Sequence, residues 1–176
     1  MRPSLRKFVL AFHLTLAVGW IGAAVAYLAL AVAAERSADG QTVRGAWAGM
    51  ELIGWYVIVP LAVGSLLTGL VMALGTRWGL FRHYWVLFSL VLTTFSTVVL
   101  LLHMPTVSVM ADLARQAEGA QLEALGGDLA HPGIGIGVLL VIQVLNVYKP
   151  RGMTAYGLRK QQEQARRLAG AGQPER

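Results

Sequence analysis

The chain has 176 residues, 56% of them hydrophobic and only 14% charged, with a formal charge of +6. A soluble domain of this size carries about a quarter charged residues. Here the apolar residues gather into stretches of about 20, the length that crosses a hydrocarbon core of roughly 30 Å, so the composition excludes an ordinary soluble domain. The absence of cysteine excludes disulfides, thiolate metal sites and cysteine nucleophiles together.

The first apolar stretch, about residues 8–34, follows the basic start MRPSLRK. A signal peptide has an apolar region of roughly 7–15 residues, and this one is far longer, so it reads as an uncleaved anchor. Gly19, Gly22, Ala23 and Ala26 give it a small-residue strip suited to helix contact. The second span, about 52–74, contains Pro60, which predicts a kink. Gly64, Ser65, Thr68 and Gly69 form its packing strip.

The third span, about 84–104, carries Ser89, Thr93, Ser96 and His103, spaced by four, three and seven, and therefore on one helical face. Hydroxyls bonded to their own helix carbonyls account for that face, and so does a polar lining leading to His103. Pro105 is expected to end or bend this helix. The connection from Thr106 to Ala130 is long for a bundle. Val107, Met110, Leu113 and Ala114 recur in it at helical spacing, so part of it is expected to lie along the outer surface. Gly126-Gly127 breaks it, and its acids read as solvated charge. The fourth span, about 133–148, opens after His131-Pro132 and places Gln143 and Asn146 on one face of its inner half. The domain organisation is thus a single four-span domain over 1–160 and a basic tail over 161–176, expected to be disordered beyond Gly170.

Charge orients the spans. Twelve of the fifteen basic residues lie on one side: Arg2, Arg6 and Lys7, then Arg77 and Arg82, then seven from Lys149 onward. Only Arg36, Arg44 and Arg115 lie on the other. The positive-inside rule places both termini in the cytoplasm. The fold class expected is all-α, an integral membrane four-helix bundle with N-in/C-in topology. The basic excess is read as a topology signal and as a contact of the tail with anionic lipid, not with nucleic acid. Trp55, Tyr56, Trp78, Tyr84, Trp85 and Tyr148 fall near span ends, where aromatic belts form.

The four histidines sort by depth. At 1.5 Å per residue, His103 lies about 28 Å along its helix from Tyr84, near the outer surface. His131 opens the next span on the same side, so antiparallel neighbours bring the two rings close. On the inner side, His13 lies within the bilayer and His83 at its rim. A polar residue inside a membrane is a functional candidate by default. Two facing levels of histidine suit bis-histidine ligation of haem b. A copper ion on His103 and Met104 is the second cofactor reading. Histidines that bond a neighbouring helix and set its register are the structural one.

The segments HLTLAVGWIGAAVAYLALA, WYVIVPLAVGSLLTGLVMALGTRWGLFRHYWVL, VVLLLHMPTVSVMA and NVYKPRGMTAYG together resemble a family of small bacterial membrane proteins common in actinobacteria. The resemblance covers nearly the whole chain. It implies a multi-pass protein of the bacterial plasma membrane and carries no established activity. His13 with Trp20 and Gly22 also resembles, more distantly, the opening helix of the copper-resistance CopD domain and of HemJ-type protoporphyrinogen oxidases. Only His13 carries over, as a ligand. Ser89 stands where that family often has lysine, and the basic residue that HemJ-type proteins place early in their third span is absent, which counts against that activity.

The chain contains no G-x-S-x-G, P-loop or H-E-x-x-H pattern. The functional reading is therefore a non-enzymatic structural or accessory membrane protein, alone, as a homo-oligomer or with a membrane partner. The alternatives are a haem- or copper-binding redox or handling protein using His13, His83, His103 and His131, and a transporter assembled from several copies. Ser89, Thr93, Ser96, Gln143 and Asn146 are the candidate polar lining.

Overall fold

Long runs of leucine, valine and alanine, unbroken by charge, favour helix, because each backbone group then finds its partner within its own segment. The computed structural model of the chain describes residues 2–75 and 79–171, and among these it is helical with no strand. Arg77, Trp78 and Arg176 lie outside the described residues, as does nearly all of the tail beyond Gly170. Four helical rods are long and apolar enough to cross a membrane: Pro3–Arg36, Gly40–Gly75, Tyr84–Gln116 and Ala130–Tyr148.

Helix α1 (Pro3–Arg36) begins with proline in its first turn, where the missing N–H costs nothing. It ends in extended backbone at Ser37. Asp39 then starts α2 (Gly40–Ile53), accepting from the N–H groups of Gln41 and Thr42 and from the Thr42 hydroxyl at 2.7 Å. A π-helical turn (Gly54–Ile58) joins α2 to α3 (Val59–Gly75) in one rod. At Pro60, where a kink is expected, the structure has this π-helical turn just ahead of the proline. A proline ring collides with the carbonyl four residues back, and the wider turn, with the Val59 N–H bonded to the Gly54 carbonyl, shifts the register just ahead of it.

Helix α4 (Tyr84–Gln116) corrects the expectation for Pro105. The helix neither ends there nor gives way to a surface connection, but continues through Pro105 for eleven residues. Pro105 is exposed, whereas Val107, Ala111 and Ala114 beyond it are buried. Tertiary packing of that face continues the helix past the breaker. A short turn, α5 (Ala120–Glu123), and α6 (Ala130–Tyr148) follow, then α7 (Ala155–Ala171), which takes up most of the segment read as a basic tail.

Rod α1 packs against α2–α3, the latter against α4, α4 against α6, and α6 against α1, closing a four-membered bundle. The rods differ in length. At 1.5 Å per residue, α6 spans about 28 Å while the other three reach roughly 50 Å. The excess of α1, α2 and α4 lies at one end and forms a cap. Its interior is Ala31, Val43, Trp47, Met50, Val107, Ala111 and Ala114, all 3% exposed or less. Polar ties close it: Arg44 donates to the carbonyls of Ala114 and Ala117, and Arg115 bridges Glu51 and Asp112. At the opposite end, Thr154 donates from its N–H to the Arg82 carbonyl at 3.0 Å, and an antiparallel bridge joins His83 to Met153.

Candidate functional site

The segment that closes the cap, Gly126-Gly127-Asp128, is held on three sides. Trp47 Nε1 donates to the Gly126 carbonyl at 3.1 Å, and the Gly127 N–H donates to Glu35 at 2.6 Å. Gly126 has φ +56°, and a Cβ on Gly127 would stand 2.0 Å from the carbonyl oxygen of Ala31. Only glycine permits so close an approach to α1. The result is that Asp128 is turned inward, its side chain only 11% exposed. The reading of the connection's acids as solvated charge is corrected at this residue.

Asp128 is the centre of a cluster. His103 Nε2 lies 2.7 Å from Oδ2, His131 Nδ1 lies 3.0 Å from Oδ1, and Tyr27 donates its hydroxyl to Oδ2 at 3.1 Å. The two imidazoles stack, with ring centroids 3.6 Å apart and planes 19° from parallel. An ionised carboxylate only accepts, so each ring presents an N–H to it. Burial pushes the Asp128 carboxyl upward, but the hydrogen bonds and charge of the two histidines outweigh it and hold the group at about 2. His103 is 16% exposed and His131 52%, so the cluster has one open side. Beneath it lies a cavity of about 310 Å³, walled by apolar side chains such as Trp20, Phe95, Leu100 and Leu139, with Ser96 in its wall.

The structure thus brings His103 and His131 together as their helix ends suggest, but leaves the inner pair apart in role. His13 Nδ1 lies 2.9 Å from Thr68 Oγ1, and that hydroxyl donates to the Gly64 carbonyl at 2.7 Å. The hydroxyl proton being spent, His13 Nδ1 is the donor, and the bond ties α1 to α3. His83 precedes α4, in the bridge to Met153. The polar face of α4 also divides. Ser96 belongs to the outer cavity, while Ser89, Thr93, Gln143, Asn146 and His13 line a second cavity at the other end. Thr93 donates to the Ser89 carbonyl, the self-bonding reading of these hydroxyls.

Haem b does not fit the outer pair. Axial histidines approach the iron from opposite faces of a porphyrin, and rings stacked at 3.6 Å leave no plane between them. Met104 does not join His103 as a thioether ligand. Its side chain is buried over Gly54, where an added Cβ would fall 2.4 Å from its Cε. His103, Asp128 and His131 by contrast place three donor atoms within 4.8 Å of one another. Asp128 and Tyr27 were not legible as partners from spacing alone, save that Asp128 precedes His131 by three residues. Comparison with protein-family models, with curated proteins and with solved structures finds no match.

Proposed function

We propose that the chain is a multi-pass membrane protein with both termini on the cytoplasmic side, and that its role is accessory and non-enzymatic: it holds one divalent transition-metal ion at its outer end. The charge count along the sequence supports the orientation. The observation that carries the binding role is the convergence of two imidazoles and a carboxylate, from two helices and the loop between them, with donor atoms within 4.8 Å.

Two nitrogens and one oxygen suit zinc and its neighbours at about 2.0–2.2 Å each, with a fourth position open. A tetrahedral site of that size sets its donors roughly 3.3 Å apart, so each imidazole nitrogen backs off slightly from its 2.7 or 3.0 Å contact with Asp128. For the metal to enter, each ring gives up the proton it presents to Asp128, either to solvent or to its other nitrogen, and the lone pairs of His103 Nε2 and His131 Nδ1 turn to the ion. Tyr27 remains on the carboxylate as the outer support that orients it. The exposed edge of His131 is the entry.

The test is titration of chelator-stripped protein in detergent with Zn²⁺, and with Co²⁺ as a spectroscopic stand-in. One ion per chain is expected, with affinity falling at least tenfold in Asp128→Asn and in His131→Ala. If the stripped protein takes up no ion, or both variants bind as the parent does, the cluster is a hydrogen-bonded clasp between α1, α4 and α6, and the metal reading fails.

A further inference from the structure

The second cavity lies at the end of the bundle opposite the cluster and owes nothing to it. It is a groove of about 680 Å³ framed by α1, α3, α4 and α6. Its rim holds Arg6, Lys7 and Lys149, all exposed, and no acid is among the described residues that line it. From Lys7 to Trp20, which stands at its inner limit on α1, is about 20 Å. That is the depth of one leaflet including its headgroups, roughly half of 40–45 Å.

Between rim and floor runs a polar belt. Ser89 is 7% exposed, and its Oγ is buried in the groove wall without a hydrogen-bond partner. A buried hydroxyl left unpaired is costly, so its place in a groove wall points to a donor kept for something that enters. Half-buried Gln143 and Asn146 stand in the same wall. Deepest, around Trp20, the lining is mostly apolar: Ala17, Ile21 and Leu139.

We infer that this groove binds one anionic diacyl glycerophospholipid. The order of chemistry along it matches the order along such a molecule. A phosphate meets the basic rim, ester carbonyls meet the Ser89 hydroxyl and the side-chain amides, and acyl chains follow the apolar floor. The charge of Arg6 and Lys7 favours this occupant over a second protein helix, on which those two cations would need acidic partners.

Native mass spectrometry of the delipidated protein in detergent tests it, with equimolar phosphatidylglycerol and phosphatidylcholine of identical chains. One phosphatidylglycerol is expected to be retained, at about tenfold preference, as one to two nearby cations supply. The surface double variant Arg6→Gln/Lys7→Gln should reduce that preference to about twofold or less, and Ser89→Leu, which fills the groove, should abolish retention of either lipid. Equal retention of both lipids, or retention unchanged in the double variant, overturns the inference. So does displacement of the lipid by millimolar inorganic phosphate, which would make the groove a phosphate site, and so does a lipid-free dimer.

Discussion

Gly127 decides the outer cluster without touching a histidine. Its α-carbon lies so close to the Ala31 carbonyl that no side chain fits, and this contact aims the next residue, Asp128, between the two imidazoles. Gly127→Ala must push the loop off α1, at a cost of about 1–3 kcal/mol. It is expected to lower the thermal midpoint and to weaken metal uptake although every ligand remains. Parent-like zinc affinity in a variant with a lowered midpoint would separate the loop from the site and refute this account. Tyr27 acts at the same scale. Its hydroxyl fixes the carboxylate oxygen that His103 also shares, so the carboxylate cannot rotate freely toward solvent.

Among the elements, α2 depends most on its first residue. Asp39 satisfies two of the N–H groups that open the helix, and the Thr42 side chain and the backbone N–H groups of Thr42 and Gln41 hold its carboxyl below the usual carboxylate range. A carboxyl depressed in the folded state stabilises above its unfolded value, near 4, and that stabilisation is lost as pH falls through the folded value. Asp39→Ala should therefore melt earlier than the parent at pH 7, and the gap should close as pH falls below about 4. Melting curves at several pH values check this, and a gap independent of pH would contradict it. Helix α4 shows the opposite balance of local and tertiary forces. Proline disfavours helix locally, yet the buried row Val107, Ala111, Ala114 extends the helix beyond it.

At the scale of the whole molecule, chemistry is sorted to the two ends. The capped end carries the histidine–aspartate cluster, and the other carries the basic rim and the tie between Arg82 and Thr154. Which end faces the cytoplasm has a direct test, because the chain has no cysteine to give background. Gln121→Cys in the cap is expected to react with a membrane-impermeant maleimide on intact cells. Gln161→Cys in α7 is expected to react only after the membrane is opened. The reverse pattern would overturn the proposed orientation, and reaction of both on intact cells would deny that α6 crosses the membrane.

The sequence by itself determined what needs only local chemistry. Apolar length and the scarcity of charge specify four long helices, since a backbone in an apolar run must satisfy itself. The order of the helices, with His103 late in one and His131 at the start of the next, also made their meeting legible. Tertiary structure alone decided the rest. Asp128 looked like any loop acid, because its burial comes from Gly127 pressing on α1, about a hundred residues away in the chain. The face of α4 that spacing treats as one lining serves two cavities, because α6 packs across it and divides the bundle. Pro105 read as an end or a bend of its helix, because its local cost is visible in the sequence and the packing that carries the helix past it is not.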